Sequence, residues 1–257
     1  VMFEDKRAVG VRWRQDGGTR SARCRGEVVM AAGSIGSPQI LMLSGVGPVG
    51  DLAKFGITGV LDKPGMGANL HDHLQLRTIY EVSGVRTLNE MYASLAQRAW
   101  MGIEYALFRR GPLTMPPSQL GAFTRSDPSQ ERANLQYHIQ PLSLDKFGDP
   151  LHPFPAFTAS VANVRPTIRG TLKRASAEPA SAPKIDPNYL ATREDQRIAA
   201  DSIRITRKII AQPALRKYSP EDYLPGPQVR DDDEAALVKA AGGCGSTIFH
   251  PVGTAKM

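Results

Sequence analysis

The chain has 257 residues, of which 41% are hydrophobic and 22% charged, and its formal net charge is +7. This composition is typical of a soluble globular protein with enough apolar material for one large domain or two small ones. No apolar run approaches the roughly 18 residues of a membrane-spanning helix, and the scattered lysines and arginines do not form the footprint of a nucleic-acid-binding protein.

The cysteines and the first residues bear on the cellular compartment. Cys24 and Cys244 lie far apart in the sequence and lack the spacing of metal ligands. One disulfide between them is an open alternative, but two unpaired thiols in a reducing compartment are favoured. The first residues lack the layout of a signal peptide. We therefore expect a cytoplasmic protein, and peripheral association with a membrane stays open.

The first 75 residues are predicted to contain two strands followed by two short helices. The strands fall at 8–13 and 27–32 and are separated by a glycine-rich turn. The second run is continuously apolar and precedes Gly33, which is typical of a buried strand that enters a turn. Helical spacing follows at 38–43 and 51–55.

After residue 75 the pattern changes to alternating strands and longer helices. Strands are predicted at 74–82, 135–139, 157–164 and 170–175. One helix or two are predicted at 88–108, and further helices at 195–212 and 231–241. The 195–212 helix is amphipathic, with a buried stripe expected from Ile198, Ile203, Ile205, Ile209 and Ile210. We expect the 88–108 segment to turn Trp100, Tyr105 and Phe108 toward the core. The mixture indicates an α+β fold with antiparallel strands at its centre.

The segment from Gly33 to Gly47 carries the first chemical signal, Gly-Ser-Ile-Gly-Ser-Pro-Gln-Ile-Leu-Met-Leu-Ser-Gly-Val-Gly. Small residues directly after a strand let the main chain approach a ligand, and the N-terminus of a following helix favours phosphate. A tight turn without any ligand contact explains the glycines equally well. The physical pattern alone does not decide between these two interpretations.

The same segment resembles the second signature of the glucose-methanol-choline (GMC) flavin oxidoreductases. The matching positions are Gly33, Ser34, Ser37, Pro38, Leu41, Ser44, Gly45, Val46 and Gly47. Residues 64–73 are similar to the family's Val-Gly-x-Asn-Leu-x-Asp-His loop, with Met66 in the valine position. Residues 165–170 and 183–190 resemble the entry to its C-terminal half, and 250–257 resemble the start of its catalytic segment.

This resemblance implies an enzyme of the choline dehydrogenase type that oxidises a primary or secondary alcohol to an aldehyde or ketone. The α-carbon of such a substrate gives a hydride to FAD while the hydroxyl loses its proton. His250 matches the catalytic histidine of the family, and imidazole has the unperturbed pKa near neutrality that this proton transfer needs. The alcohol, the electron acceptor (oxygen, a quinone or another) and the oligomeric state are not indicated.

Ala32 and Gly33 are the predicted cofactor-binding residues. They resemble the Ala-Gly pair that flavoproteins with two dinucleotide folds place near the FAD phosphates, although a turn without ligand contact stays an alternative. The family's Gly-x-Gly-x-x-Gly fingerprint, which seats a pyrophosphate at a helix N-terminus, has no counterpart in the sequence. The sequence also has no counterpart of the second catalytic His or Asn, which follows His250 in the family.

The resemblance therefore predicts an incomplete GMC fold: part of an α/β flavin domain plus an antiparallel-sheet substrate domain with flanking helices. Residues 1–75 correspond to the late part of the FAD-binding domain, and 76–165 to the first part of the substrate-binding domain. Residues 166–257 correspond to a truncated C-terminal segment that returns toward the flavin. We expect the chain by itself to be inactive.

The other four histidines are predicted to be structural or ordinary polar residues. His71 and His73 flank Asp72, but this spacing does not suit a metal ion, and no metal site is predicted. By resemblance, their loop is structural and lies near the domain junction. His138 falls in a predicted strand, and His152, in a proline-rich loop, is the better placed of the two to line a pocket.

Two functions of other classes compete with alcohol oxidation. Some relatives of the family are hydroxynitrile lyases, which cleave cyanohydrins with a similar histidine and use the flavin only structurally. A non-catalytic protein that kept the flavin fold is the other alternative. For a substrate pocket, 100–120 and 135–160 are the expected walls, with Phe147 and Phe154 among the apolar residues that could shape it.

Overall fold

The computed structural model describes residues 1–116 and 118–256. In this part of the chain the strands are β1 Met2–Glu4, β2 Arg7–Gln15, β3 Gly18–Arg23, β4 Val46–Gly47, β5 Leu61–Asp62, β6 Leu74–Glu81, β7 Leu120–Thr124, β8 Leu135–Gln140, β9 Ala156–Asn163, β10 Thr171–Lys173, β11 Lys184–Asp186, β12 Glu221–Leu224 and β13 Gly245–Thr247. The helices are α1 Gly33–Leu43, α2 Val49–Ala53, α3 Leu88–Ala93, α4 Leu95–Phe108, α5 Arg193–Ile210, α6 Pro213–Arg216 and α7 Glu234–Cys244.

The chain divides into two compact units, and each is discontinuous in sequence. Unit 1 comprises Val1–Asp72, Ile168–Tyr189 and Phe249–Met257. Unit 2 comprises His73–Thr167 and Leu190–Ile248. Segments that are far apart along the chain therefore come together within one unit, and this arrangement decides the composition of the candidate site.

Unit 1 begins with a three-stranded antiparallel sheet in the order β1-β2-β3. Asp16 and Gly17 connect β2 to β3 with φ values of 51° and 75°, as a two-residue type I′ hairpin requires. The predicted strand at 8–13 is thereby confirmed. Its partner is β3, however, an exposed and polar strand for which the sequence carries no hydrophobic alternation.

The predicted strand at 27–32 is wrong. These residues form no regular element, and Val29 in their middle is 76% exposed. A strand needs a neighbour to hydrogen-bond its main chain, and no strand within the described residues pairs with this run. The apolar residues instead line open cavities.

Helix α1 begins at Gly33, five residues before its predicted start, so the glycines at 33 and 36 lie in the helix and not in a preceding turn. Met42 near its end packs with Leu52, Met66 and Leu172 to form the apolar core of unit 1. The second short helix, predicted at 51–55, is present as α2. Two small sheets, β4-β5 and β10-β11, complete the unit.

Unit 2 is built on a six-stranded sheet with the path β12-β6-β9-β8-β7, in which β13 also pairs with β6. Every pairing in this sheet is antiparallel. The predicted strands at 74–82, 135–139 and 157–164 are confirmed as β6, β8 and β9. The antiparallel centre of the predicted α+β fold is confirmed with them.

Helices α5 and α7 cover one face of this sheet. The core there includes Leu135 and Val161 from the strands, Ile198 and Ile203 from α5, and Leu237 from α7. The amphipathic pattern of α5 is thus confirmed on its inner side. Alternate residues of the same strands point to the opposite face, which is polar.

Three details of the predicted helices differ from the structure. Ile209 of α5 is 43% exposed, outside the buried stripe expected of it. Helix α7 starts after its N-cap Asp233, whose carboxylate accepts the N–H of Ala236 at 2.9 Å. It then continues through Gly242 and Gly243 to Cys244, because these glycines keep helical backbone and β13 follows directly.

The prediction that the aromatic residues of 88–108 face the core is also wrong. Trp100 is 57% exposed, Tyr105 39% and Phe108 56%. The predicted segment forms two helices, α3 and α4, and Met101 is the buried residue of α4. Aromatic content and helical spacing indicated a buried face, but burial depends on what packs beside the helix.

The two thiols are free, as the cysteine spacing predicted. Cys244 is 7% exposed, and its burial raises the pKa of the thiol to about 11. None of the helices in the described ranges is both long and apolar enough to cross a membrane.

Candidate functional site

The histidine-containing loop at 64–73 and the segment that contains His250 lie side by side in unit 1. His71 and Val252 exchange two main-chain hydrogen bonds of 2.9 Å each. The side-chain amide of Asn69 donates to the carbonyl of Gly253 at 3.2 Å. Two motifs that are far apart in the sequence therefore form one antiparallel pair, and this pairing positions the chain after His250.

Asp72 holds the main chain at His250 itself. Its carboxylate is 4% exposed and accepts the main-chain N–H of His250 at 3.0 Å. The other carboxylate oxygen accepts the hydroxyl of Tyr189 at 2.6 Å. The sequence alone predicts no role for Asp72, although the similarity of 64–73 to a family loop is a signal that could have revealed one.

The backbone on both sides of His250 is tightly constrained. Phe249 has φ of 62°, a left-handed conformation that is uncommon for an aromatic residue and is often found at functional sites. Gly253 has φ of 92°, and a Cβ there would collide with the main-chain carbonyl oxygen of Asn69 and lie 3.0 Å from its side-chain amide nitrogen. Only a glycine suits this close approach. His250 itself is exposed.

The start of α1 is tied to the same segment. The hydroxyl of Ser34 donates to the carbonyl of Pro251 at 2.6 Å, and the hydroxyl of Thr254 donates to the carbonyl of Ser34. The two motifs on which the family resemblance mainly rests, near Gly33 and near His250, are thus joined directly within unit 1.

An open cavity of about 990 Å³ lies where these segments meet. One side is formed by Met30, Ala31, Gly33 and Ser34, and the other by residues 251–256. A second cavity of about 890 Å³ shares Val28, Met30 and Ala31 with the first and includes Ala32. Of the predicted cofactor-binding residues, Gly33 lines the first cavity and Ala32 the second.

The residues of the first cavity fit part of a dinucleotide such as FAD. Gly33 has φ of 73°, and no atom lies within 4 Å of the place where a Cβ would project. The N-terminus of α1 starts there without a side-chain cap, so main-chain N–H groups are directed to a site that favours negative charge. A bulkier residue at position 33 would fill this space.

The electrostatic field around the paired loops is positive. The pKa of His71 is lowered from 6.5, mainly by desolvation and further by Arg169 and Lys256. Its Nε2 lies 3.2 Å from the side-chain oxygen of Asn69, which also accepts from Nε of Arg169 at 3.2 Å. Burial and the two neighbouring cations therefore favour the neutral form of the His71 imidazole.

A second cluster of polar and charged side chains lies on the polar face of the unit 2 sheet. Arg77 on β6 is 3% exposed, and its guanidinium lies 4.5 Å above the ring of Phe147. One nitrogen donates to Gln140 at 3.4 Å, while Nε and Nη1 have no hydrogen-bond partner in the described part of the chain. Burial lowers the pKa of this guanidinium.

Ser160 lies directly opposite Arg77 on β9, and His138 lies opposite Ser160 on β8. The hydroxyl of Ser160 is buried and has no hydrogen-bond partner among the residues described. A buried cation beside an unsatisfied hydroxyl is costly without a polar ligand. This row of three side chains across three strands is therefore a candidate binding surface.

His152 packs against other residues of its own loop. Its Nδ1 lies 2.9 Å from the hydroxyl of Ser143, and its ring stacks on Phe154 with centroids 4.8 Å apart. The residue is 8% exposed. The structure thus places both His152 and Phe154 in the internal packing of the loop.

Comparison with known proteins agrees with the sequence motifs. Models of the GMC oxidoreductase family match residues 1–75 and 166–257. The chain is 36% identical to "Alcohol dehydrogenase [acceptor]" of Pseudomonas putida over 100% of its own length and 47% of that protein. It is 38% identical to "Oxygen-dependent choline dehydrogenase" of Chromohalobacter salexigens, again over 100% of its length and 46% of the relative.

Solved structures share the fold. A formate oxidase of Aspergillus oryzae superposes with a TM-score of 0.88 at 22% identity, covering 98% of this chain and 48% of that one. A pyridoxine 4-oxidase from Mesorbium loti superposes with a TM-score of 0.76 at 22% identity, covering 98% of this chain and 45% of that one.

This chain belongs to the GMC oxidoreductase family. The predicted family and the predicted mixed fold are confirmed. The chain spans about half the length of the curated relatives that it matches.

Proposed function

We propose that the protein to which this chain belongs oxidises an alcohol to an aldehyde or ketone with FAD, and that His250 accepts the hydroxyl proton. One observation carries the proposal: a single cavity is lined by Gly33 at the start of α1 and by the residues that follow His250. Membership of the GMC family supports it, and so do the names of the alcohol and choline dehydrogenase relatives.

The chemistry requires two transfers, a hydride from the α-carbon of the alcohol and a proton from its hydroxyl. FAD, when bound, supplies the acceptor for the hydride. The chain's own contribution is a base held in position, and an imidazole nitrogen of His250 accepts the proton. Asp72 acts through the main chain as a positioning residue, because its carboxylate bonds to the N–H of His250.

In this proposal Ala32, Gly33 and the N-terminus of α1 hold part of the cofactor. Gly33 leaves room for it, and the uncapped helix end directs N–H groups toward its negatively charged portion. Unit 1 thus carries the cofactor role.

The test is anaerobic reduction of the flavin in the full-length protein. Adding an alcohol that is a substrate should bleach the oxidised flavin band. His250→Ala should slow bleaching by about 10²-fold or more, the usual scale for loss of a general base. A flavin that alcohols never bleach would refute oxidation and favour the lyase alternative, while unchanged reduction in His250→Ala would remove the histidine from the mechanism.

We also propose that residues 1–257 expressed alone do not turn over substrate. Support comes from the missing dinucleotide fingerprint and from the relatives, which are about twice as long. The purified 257-residue chain should show no flavin absorbance after gel filtration with added FAD. Stoichiometric FAD that remains bound would contradict this part of the proposal and leave the role of His250 untouched.

A further inference from the structure

Arg77 is a buried cation without a counter-charge among the described residues. Its guanidinium makes one hydrogen bond in this part of the chain, of 3.4 Å, to the side-chain oxygen of Gln140, which is a neutral group. Nε and Nη1 are buried and make none. Desolvation lowers the pKa of Arg77, and no carboxylate of the described residues opposes this effect. The positive charge is therefore both desolvated and uncompensated.

Arg207, in the same unit, shows the opposite arrangement. Its side chain is 17% exposed and forms ion pairs with Asp222 at 2.7 Å and with Asp231 at 2.5 Å. Burial lowers the pKa of Arg207, but the hydrogen bonds and the attraction of these two carboxylates raise it overall. A buried charge that lacks such a partner is strongly destabilising. This contrast indicates that Arg77 has a counter-ion that the described residues do not supply.

Ser160 places a second unsatisfied group beside Arg77. The two residues are direct cross-strand partners on β9 and β6, so their Cβ atoms lie about 4.5–5.5 Å apart on the same face of the sheet. Ser160 is 0% exposed, and its hydroxyl has no hydrogen-bond partner among the residues described. A hydroxyl can donate to an anion, as the guanidinium can. Donors from two neighbouring strands are thus available to one ligand.

Phe147 covers the guanidinium from the loop between β8 and β9. Its ring centroid lies 4.5 Å from the central carbon of the Arg77 guanidinium. The loop is closed at its base, where the main-chain N–H of His152 donates to the carbonyl of Ser143 at 3.0 Å. One face of the guanidinium is therefore occupied, and a ligand must reach the N–H groups near their own plane. Because the unpaired atoms are already buried within the described residues, a compact ion suits them better than a bulky group.

We propose that Arg77 and Ser160 bind a compact monovalent anion of halide size beneath Phe147. An ordered water molecule could satisfy the hydrogen bonds, but it would leave the charge of the guanidinium uncompensated. An anion supplies both, and hydrogen bonds to an ion are stronger than those between neutral groups. The aromatic ring attracts the cation but carries no net charge. The inference does not rest on the proposed alcohol oxidation, because anion binding is measured without turnover.

The experiment is thermal unfolding of the full-length protein in potassium gluconate, whose anion is bulky, with bromide added at constant ionic strength. Saturating bromide should raise Tm by at least about 2 °C, because a ligand that binds only the folded state stabilises it. Arg77→Met should abolish this rise, and Ser160→Ala should weaken the bromide affinity about tenfold. Arg12→Met is the matched control, because Arg12 is an exposed arginine on β2, and it should respond like wild type.

Crystals of the full-length protein grown with bromide locate the ion directly. An anomalous peak is expected within hydrogen-bond distance of Arg77 and Ser160, and it should be absent from Arg77→Met. A water molecule in that place, or a carboxylate of the chain paired with Arg77, would overturn the proposal. So would a rise in Tm that Arg77→Met retains. If Arg77→Met does not fold, Ser160→Ala still decides, because unchanged bromide affinity in that variant refutes the site.

Discussion

The carboxylate of Asp72 accepts the main-chain N–H of His250 at 3.0 Å across 178 residues of sequence. The same carboxylate accepts the hydroxyl of Tyr189, so one buried group connects all three sequence segments of unit 1. Asp72 therefore positions the backbone of the proposed base. Asp72 belongs to the motif at 64–73, but the motif alone indicates no role for it.

Replacing Asp72 with Ala should lower kcat by about 10- to 100-fold with a smaller change in KM. A misplacement of about 1 Å at a catalytic group can cost 10²-fold, and the N–H of His250 and the hydroxyl of Tyr189 would both lose their acceptor. Asp72→Asn keeps an oxygen for the N–H of His250 and should retain most of the rate. Steady-state kinetics of the two variants measure this difference, and equal losses would argue against a positioning role.

Replacing Gly33 with Ala should lower the FAD content of the purified full-length protein. The new Cβ enters the open space at the N-terminus of α1, in a backbone conformation that L-residues rarely adopt. Gly17→Ala is the matched control, because Gly17 also has positive φ and nothing within 4 Å of its Cβ position, but it lies in the β2-β3 turn. The flavin-to-protein absorbance ratio separates the two, and similar FAD loss in both variants would point to strain alone.

Stability should fall as the pH drops below about 6.5, and His71 should be one cause. Its pKa is lower in the folded chain than the ordinary 6.5, so the unfolded chain binds more protons in this range, and acidification favours unfolding. His71→Gln should flatten the dependence of Tm on pH between about 6.5 and 5. Above pH 8 the curves of Tm against pH for the variant and the wild type should be parallel. Identical slopes below pH 6.5 would exclude His71 as a contributor.

Replacing Arg77 with Met should leave stability unchanged or raise it. The guanidinium is buried with two unsatisfied nitrogens, and replacing such a charge with an apolar side chain of similar size is often neutral or stabilising by about 1–4 kcal/mol. Urea denaturation of the variant and of the exposed control Arg12→Met would measure this. A loss of more than about 2 kcal/mol would mean that Arg77 stabilises the fold rather than serving a ligand.

Local sequence determined the elements whose signals are themselves local. The Asp16-Gly17 dipeptide specifies a two-residue hairpin, and the isoleucine spacing of α5 specifies which side of that helix is buried. The family motif likewise identified His250 and Gly33 as candidates. The hairpin and the buried side of α5 are confirmed because backbone preference and hydrophobic period depend on residues a few positions apart, whereas the roles of His250 and Gly33 stay predictions.

Tertiary structure alone decided what lies beside each element. The run at 27–32 has the composition of a buried strand but forms none, because no described strand pairs with it. Helix α4 buries Met101 and leaves its aromatic residues exposed. Asp72 reaches His250 only after the chain has folded back on itself. Pairing and burial depend on the neighbours that the fold supplies, and local patterns carry no information about them.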